Sequence, residues 1–133
     1  MLRMMIKEDL SKYDLSSIKN MTTAGEALNP EVSKQFAQNT GLQIMEGFGQ
    51  TETTLIIANL NGMAPKLGSM GKPTPPFDVD IVDPDGKPCG PGEVGEIVIH
   101  IDKEVPCGLF KEYYRDPQRT AECWHDGLYH TCD

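Results

Sequence analysis

The segment from Met21 to Met45 constrains the fold most, because it carries a full set of helix punctuation between two short apolar runs. Asn29 has the form of an N-cap, Pro30 of a first helical residue and Glu31 of a first-turn acid. Val32, Phe36 and Thr40 then fall on one helical face, and Gly41 supplies a C-terminal stop. Before the helix, residues 21–28 read as a short buried strand running into a loop. After it, Leu42 and Ile44 alternate as a strand would. A helix crossing between two strands normally makes them parallel, and open parallel sheets hold ligands at the carboxyl ends of their strands.

That place is taken here by Gly47-Phe48-Gly49-Gln50-Thr51-Glu52-Thr53-Thr54. Glycines let backbone approach a ligand closely and adopt φ values that other residues avoid. Between them Phe48 offers a flat apolar face to a heterocycle. Thr51 offers a hydroxyl to a phosphate oxygen. The Glu52 carboxylate tolerates a phosphate only with a hard cation between them, and Mg²⁺ takes one or two carboxylates together with substrate phosphates. These residue types in this order describe base, phosphate and metal. The plain alternative is a glycine-rich turn followed by the cap and first turn of a helix, with Thr51 as the cap and Glu52 as a first-turn acid.

The run Gly-Phe-Gly-Gln-Thr-Glu-Thr resembles the strand-loop motif of the AMP-forming acyl-CoA synthetases, members of the adenylate-forming superfamily. The likeness extends along the chain from about residue 15 to residue 133. Ala24-Gly25-Glu26-Ala27-Leu28-Asn29-Pro30-Glu31-Val32 is similar to the segment that precedes the motif in that family. Residues 92–99, Gly108-Leu109-Phe110, and Tyr113 to Ala121 are similar to later family segments. Tyr129-His130-Thr131-Cys132-Asp133 resembles Tyr-x-Thr-Gly-Asp, with cysteine in place of the usual glycine.

The resemblance implies a set of roles. Gly25, Glu26 and Ala27 would pack on one face of adenine and Phe48 on the other, with Gly49 and Gln50 completing the nucleotide-binding run. Thr51 and Glu52 would be the catalytic pair, Thr51 on the α-phosphate and Glu52 ligating Mg²⁺. Asp133 would hold the two ribose hydroxyls, one on each carboxylate oxygen. If the backbone at residue 132 needs a positive φ, the Cβ of Cys132 costs about 1 kcal/mol there. Gly49 leaves room in the carboxylate pocket, which points to medium-chain or branched acids. The substrates implied are a carboxylic acid, ATP (with AMP in the adenylate) and coenzyme A. The implied reaction is acyl-adenylate formation followed by attack of the coenzyme A thiolate. The family's phosphate loop and its small C-terminal domain match nothing in this sequence, so the expectation is a partial enzyme that is inactive alone. The alternative is a non-catalytic adenylate-binding or interaction module, or a piece that pairs with a copy of itself through an exposed subdomain surface.

The rest of the chain sets the fold class: α/β followed by β, as in part of the large N-terminal domain of an adenylate-forming enzyme. Residues 1–65 would form a partial α/β subdomain, and 66–133 a small distorted β-barrel ending at the ribose motif. Residues 1–20 read as a helical lead-in, with Leu2, Met5, Ile6 and Leu10 sharing a face and Asp14 capping one further turn. From residue 69 the pattern turns to strands. Phe77, Val79 and Ile81 alternate with Asp78 and Asp80, turn sequences follow at 83–86 and 90–96, and another strand covers 97–101. Asp116-Pro117 reads as a turn or helix start, and Trp124 as core or barrel edge.

Composition narrows the class of partner. Twenty acids against 12 bases give a net charge of −8, which disfavours nucleic acid and anionic membrane surfaces. No apolar run approaches the length of a membrane span, and the first residues turn charged too soon for a secretory signal. The four cysteines, Cys89, Cys107, Cys123 and Cys132, are too sparse for a disulfide scaffold, so a reducing cytoplasmic setting is expected. Cys123, His125, His130 and Cys132 are ligand types that suit zinc, but their spacing fits no common zinc module. As the last residue, Asp133 is expected to fray.

Overall fold

The computed structural model describes all 133 residues. They divide into two compact units, one of residues 1–50 and 57–72, the other of residues 51–56 and 73–133. The division falls within the strands β3 (Thr54–Ala58) and β4 (Lys72–Pro73).

The first unit is built on the predicted strand–helix–strand. β1 (Met21–Thr23) pairs in parallel with β2 (Ile44–Gln50), Met21 opposite Ile44 and Thr23 opposite Glu46. Between them runs α2 (Pro30–Thr40), with the Asn29 side chain accepting from Glu31 N at 2.9 Å and Gly41 in the left-handed conformation at the other end. Val32 and Phe36 are buried, Phe36 almost completely, and Ile44 is buried with them. The amphipathic stripe of α2 thus supplies the core of this unit.

Two expectations for the unit change. The lead-in is not one helix: α1 covers only Leu2–Met5, and Leu10–Lys12 form a single 3₁₀ turn. Asp9 caps the start of that 3₁₀ turn, accepting from both the backbone N and the hydroxyl of Ser11. Asp14 does the same for Ser16 N, at the turn expected there. Further along, β2 runs to Gln50, so Gly47, Phe48, Gly49 and Gln50 stand on extended strand rather than in a loop. Thr51–Thr53 form the turn, and β3 follows at Thr54 with φ 59°. No helix begins there, which removes the cap-and-first-turn alternative for Thr51 and Glu52.

The crossing from β3 toward β4 is held by Asn59. Its backbone N and its Nδ2 both donate to Glu46 O at 3.0 Å, and Nδ2 also donates to Ser69 O at 3.0 Å. Gly71 passes so close to Ala58 that a Cβ would lie 2.1 Å from its carbonyl carbon, so only glycine fits.

The second unit carries an antiparallel sheet of order β5–β6–β8–β7: Val79–Val82, Glu96–His100, Leu128–His130 and Trp124–His125. The order is open, with β5 and β7 at its ends, where the turn pattern suggests a small barrel. β6 lies inside the sheet, and its run Ile97-Val98-Ile99 is buried on both faces. The inward set on β5 differs from the simple alternation. Phe77 is buried as expected, but Ile81 is 42% exposed and Val82 only 5%. β5 ends the sheet, so Ile81 has a strand on one side only. Val82 is covered instead by the returning hairpin, where Pro88 bridges it and Gly95 packs against its carbonyl. Helix α3 (Pro117–Cys123) starts where Asp116 accepts from Arg119 N at 3.0 Å. Trp124, Tyr129, Phe110 and Tyr113 form one aromatic cluster, with ring centroids 4.8–5.9 Å apart. Tyr114 is exposed.

Candidate nucleotide-binding residues

The residues singled out by the sequence divide between the two units: Gly25, Glu26, Ala27, Phe48, Gly49 and Gln50 in the first, Thr51, Glu52 and Asp133 in the second.

In the first unit, Gly25, Glu26 and Ala27 form an exposed turn between β1 and α2, with Gly25 at φ +92°, where a side chain would be strained. The turn is fixed at its far end, where Leu28 N donates to Glu46 Oε1 at 2.8 Å. Glu46 is only 7% exposed. Glu46 shares the face of β2 that carries Ile44 and, two residues on, the half-buried Phe48. A cavity of about 480 Å³ opens beside this anchor, lined by Leu28, Ile44, Glu46, Lys34 and Leu67 among others. Sequence reasoning passed over Glu46 and Asn59. The available signal was an acid in the interior of a strand whose neighbours are apolar, a position that requires a partner.

In the second unit, Thr51 is exposed on the turn and Glu52 is half-buried. The Glu52 carbonyl accepts from Phe110 N at 2.7 Å, and its Oε1 accepts from the Tyr113 hydroxyl at 2.9 Å. Burial, and then the Glu52 carboxylate, push the Tyr113 phenol above its ordinary range, so it remains a donor at neutral pH.

Asp133 presents an exposed side chain on a well-tied backbone rather than a frayed end. Ile97 N donates to Asp133 O at 2.9 Å, and Asp133 N donates to the Thr131 hydroxyl at 3.2 Å. Thr131 is in turn buried and donates through Oγ1 to Ile97 O at 2.7 Å. Cys132, the position where cysteine replaces the glycine of the similar motif, has a left-handed φ of 62°, so the strain considered for its Cβ applies. Its N donates to Glu96 Oε1 at 2.9 Å, while Glu96 Oε2 pairs with His130 Nδ1 at 2.9 Å. Burial alone would raise the Glu96 carboxyl. The bonds from His130 and the Cys132 amide, with the charge of His130 and His125, outweigh burial and hold it below the usual value. The His125 and His130 rings stack at 3.9 Å. Burial also pushes the Cys132 thiol up, as does neighbouring Cys123.

No group of three or more His, Cys, Asp or Glu side chains is arranged to hold a metal ion. With Oε1 taken by the Tyr113 hydroxyl, the Glu52 carboxylate keeps Oε2 as a single oxygen donor, the kind of ligand that fits a cation completed by substrate phosphates and water.

The comparisons with known proteins agree with the family resemblance read from the sequence. The profile of the AMP-binding enzyme family matches residues 1–114. The chain belongs to that family. It is 47% identical over 131 residues to the mitochondrial acyl-coenzyme A synthetase ACSM3 of Mus musculus, covering 98% of this chain and 23% of that protein. It is 46% identical over 118 residues to the uncharacterized acyl-CoA ligase YtcI of Bacillus subtilis, covering 88% of this chain and 22% of that one. Among solved structures, the anthranilate CoA ligase AuaEII, in complex with anthranoyl-AMP, superposes with a TM-score of 0.84 at 26% identity, over 98% of this chain and 24% of that chain. The acyl-CoA synthetase of Brucella canis superposes with a TM-score of 0.74 at 34% identity, over 87% of this chain and 21% of that chain. The chain thus spans less than a quarter of the length of these relatives, and matches a portion of the adenylate-forming fold. No helix is long and apolar enough to cross a membrane.

Proposed function

We propose that this chain supplies adenylate-binding and phosphate-binding residues of an AMP-forming acid–thiol ligase. Such an enzyme joins a carboxylic acid to the α-phosphorus of ATP, releases pyrophosphate, and passes the acyl group to the coenzyme A thiol. The observation that carries this reading is the run Phe48 to Glu52 at the carboxyl end of a strand parallel to β1, in a chain 47% identical to an acyl-CoA synthetase.

The roles follow from the chemistry of each side chain. Gly25, Glu26 and Ala27 line one face of adenine, and Phe48 stacks on the other. Gly49 and Gln50 continue the nucleotide-binding run, and the absence of a side chain at Gly49 leaves space for a medium-chain or branched acyl group. Thr51 donates to the α-phosphate. Glu52 holds Mg²⁺, which when bound neutralises phosphate charge. Asp133 accepts from the two ribose hydroxyls. No residue acts as a nucleophile in this scheme; the protein positions substrate and balances charge.

Residues 1–65 and 66–133 are proposed as the α/β part and the barrel-like part of the large domain. The compartment is cytoplasmic or mitochondrial; relatives such as ACSM3 are named for the mitochondrion. A second reading is an adenylate-binding module without turnover, which would use the same nucleotide-contacting residues.

Calorimetric titration with non-hydrolysable acetyl- and hexanoyl-adenylate analogues tests both readings. Expected is binding that favours hexanoyl and falls about tenfold or more in Phe48→Ala, in line with the loss of one aromatic stack and its buried area. Carboxylate-dependent ATP–pyrophosphate exchange should be absent from the 133 residues alone. No binding at millimolar ligand would overturn the nucleotide assignment.

A further inference from the structure

Glu52 is held at both ends by one segment of the second unit. Phe110 N donates to its carbonyl at 2.7 Å, and the Tyr113 hydroxyl donates to its Oε1 at 2.9 Å, across 61 residues of sequence. Tyr113 is itself fixed on three sides. Its backbone N donates to Thr120 Oγ1 at 3.0 Å, and that hydroxyl donates to Asp116 O at 2.9 Å. Its ring lies 4.8 Å from that of Phe110, and the Arg119 guanidinium sits over it at 4.4 Å. A tyrosine tied through backbone, ring and hydroxyl has few other conformations. Its phenol therefore reaches Glu52 in a set direction, and α3 is the element that sets it.

We propose that Tyr113 is a positioning residue for a divalent cation at Glu52, committing Oε1 to the phenol so that the carboxylate offers the cation Oε2 alone. The inference rests on the adenylate-forming reading, in which Glu52 is the cation ligand, and adds a basis for choosing between cations. Ca²⁺ accepts bidentate carboxylates in a loose shell of six to eight oxygens. Mg²⁺ requires a compact octahedron and takes single carboxylate oxygens with water and phosphate. A carboxylate with one oxygen occupied by a neutral donor is a poor bidentate ligand and a suitable monodentate one. Tyr113 would thus favour Mg²⁺ over Ca²⁺. A hydrogen bond to a ligating side chain orients ligands in other metal sites in the same way.

The test is titration of the whole 133-residue chain with α,β-methylene-ATP in Mg²⁺, in Ca²⁺ and in EDTA, for wild type, Tyr113→Phe, Glu52→Gln and the double variant. Tyr113→Phe keeps the ring that packs on Phe110 and Arg119 and removes only the hydroxyl. Expected is a Mg²⁺-dependent gain in affinity that falls about tenfold in Tyr113→Phe, the factor matching one charge-assisted hydrogen bond. The preference for Mg²⁺ over Ca²⁺ should shrink toward unity, with affinity in EDTA unchanged. In the Glu52→Gln background the hydroxyl should no longer matter. Equal losses in EDTA and in Mg²⁺ would mean that Tyr113 serves only packing and would overturn the proposal. So would an unchanged Mg²⁺ preference in Tyr113→Phe alongside its loss in Glu52→Gln, which sinks the positioning role and leaves Glu52 as the ligand. A wild type with no Mg²⁺-dependent gain would remove Glu52 as the ligand, and the proposal with it.

Discussion

Two glutamates, one in each unit, do the same mechanical task in different surroundings. Glu46 on β2 accepts from Leu28 N and so fixes the turn that carries Gly25, Glu26 and Ala27. Glu96 on β6 accepts from Cys132 N and so fixes the segment that carries Asp133. Each is a strand side chain holding a backbone amide of the adjoining segment. Glu46 is buried, and Leu28 N is its side-chain partner at 2.8 Å. Glu96 is half-exposed, shares itself between an amide and an imidazole, and lies on a cavity of about 470 Å³ also lined by Asp83, Asp85, Glu122 and Asp126. The comparison teaches that one anchor is a matter of packing and the other a matter of charge. The first should respond to truncation and the second to pH.

The strongest way to break the comparison is to truncate the buried anchor. Glu46→Ala leaves Leu28 N without its acceptor and opens space beside an existing cavity. A lost bond to a charged acceptor and an orphaned donor together destabilise by about 2–3 kcal/mol. Urea unfolding at pH 7 should show that loss, and Glu46→Gln, which keeps an acceptor, should lose about half as much. A loss below about 0.5 kcal/mol for Glu46→Ala would mean that the turn does not depend on this bond.

Glu96→Gln sharpens the comparison through pH. The folded-state Glu96 carboxyl is held below its ordinary value, so its stabilising contribution is fully present above that ordinary value, near pH 4.5. It is lost as pH falls through the lower folded value. Wild type should therefore exceed Glu96→Gln by about 1 kcal/mol at pH 7, one net hydrogen bond, and the two should converge as the solution is acidified below pH 4.5. His130 and His125 face the same carboxylate, so the pH profile of His130→Asn should run parallel to that of Glu96→Gln through the acid limb. A difference that stays constant from pH 7 to pH 3 would contradict the charge-based account.

How far each anchor could be read from the sequence depends on the range of the interaction. The βαβ unit is written in residues a few positions apart: Asn29 caps Glu31, Pro30 opens the helix, Gly41 closes it, and Phe36 supplies the core. At Cys132 the glycine of the similar motif raised the question of a positive φ, and the backbone there is left-handed. The extension of β2 through Gly47 and Gly49 was not legible. Glycines weaken a strand locally, and only sheet neighbours hold such residues extended. Glu46 and Leu28 are 18 residues apart, Glu52 and Tyr113 are 61 apart, and Glu96 and Cys132 are 36 apart. Nothing in local periodicity records such pairs; only the folded chain brings each acid to its partner. The exposed Ile81 has the same origin, since alternation does not say which strand ends a sheet.

The gentlest change acts on the strained side of the comparison. Cys132 keeps a Cβ at φ 62°, a conformation that costs a side-chain-bearing residue about 1 kcal/mol or somewhat more. Glycine relieves that strain but also loosens the unfolded chain, by about 0.4–1 kcal/mol in the opposite direction. Cys132→Gly should therefore stabilise by a few tenths of a kcal/mol at most, a small rise in urea midpoint with unchanged slope. The more telling readout is binding. If Glu96 already holds the Cys132 amide where Asp133 needs it, hexanoyl-adenylate affinity should rise less than about threefold in Cys132→Gly. A rise of tenfold or more would show that the cysteine displaces Asp133 despite the Glu96 anchor, and that the half-exposed glutamate is the weaker of the two clamps in function as well as in stability.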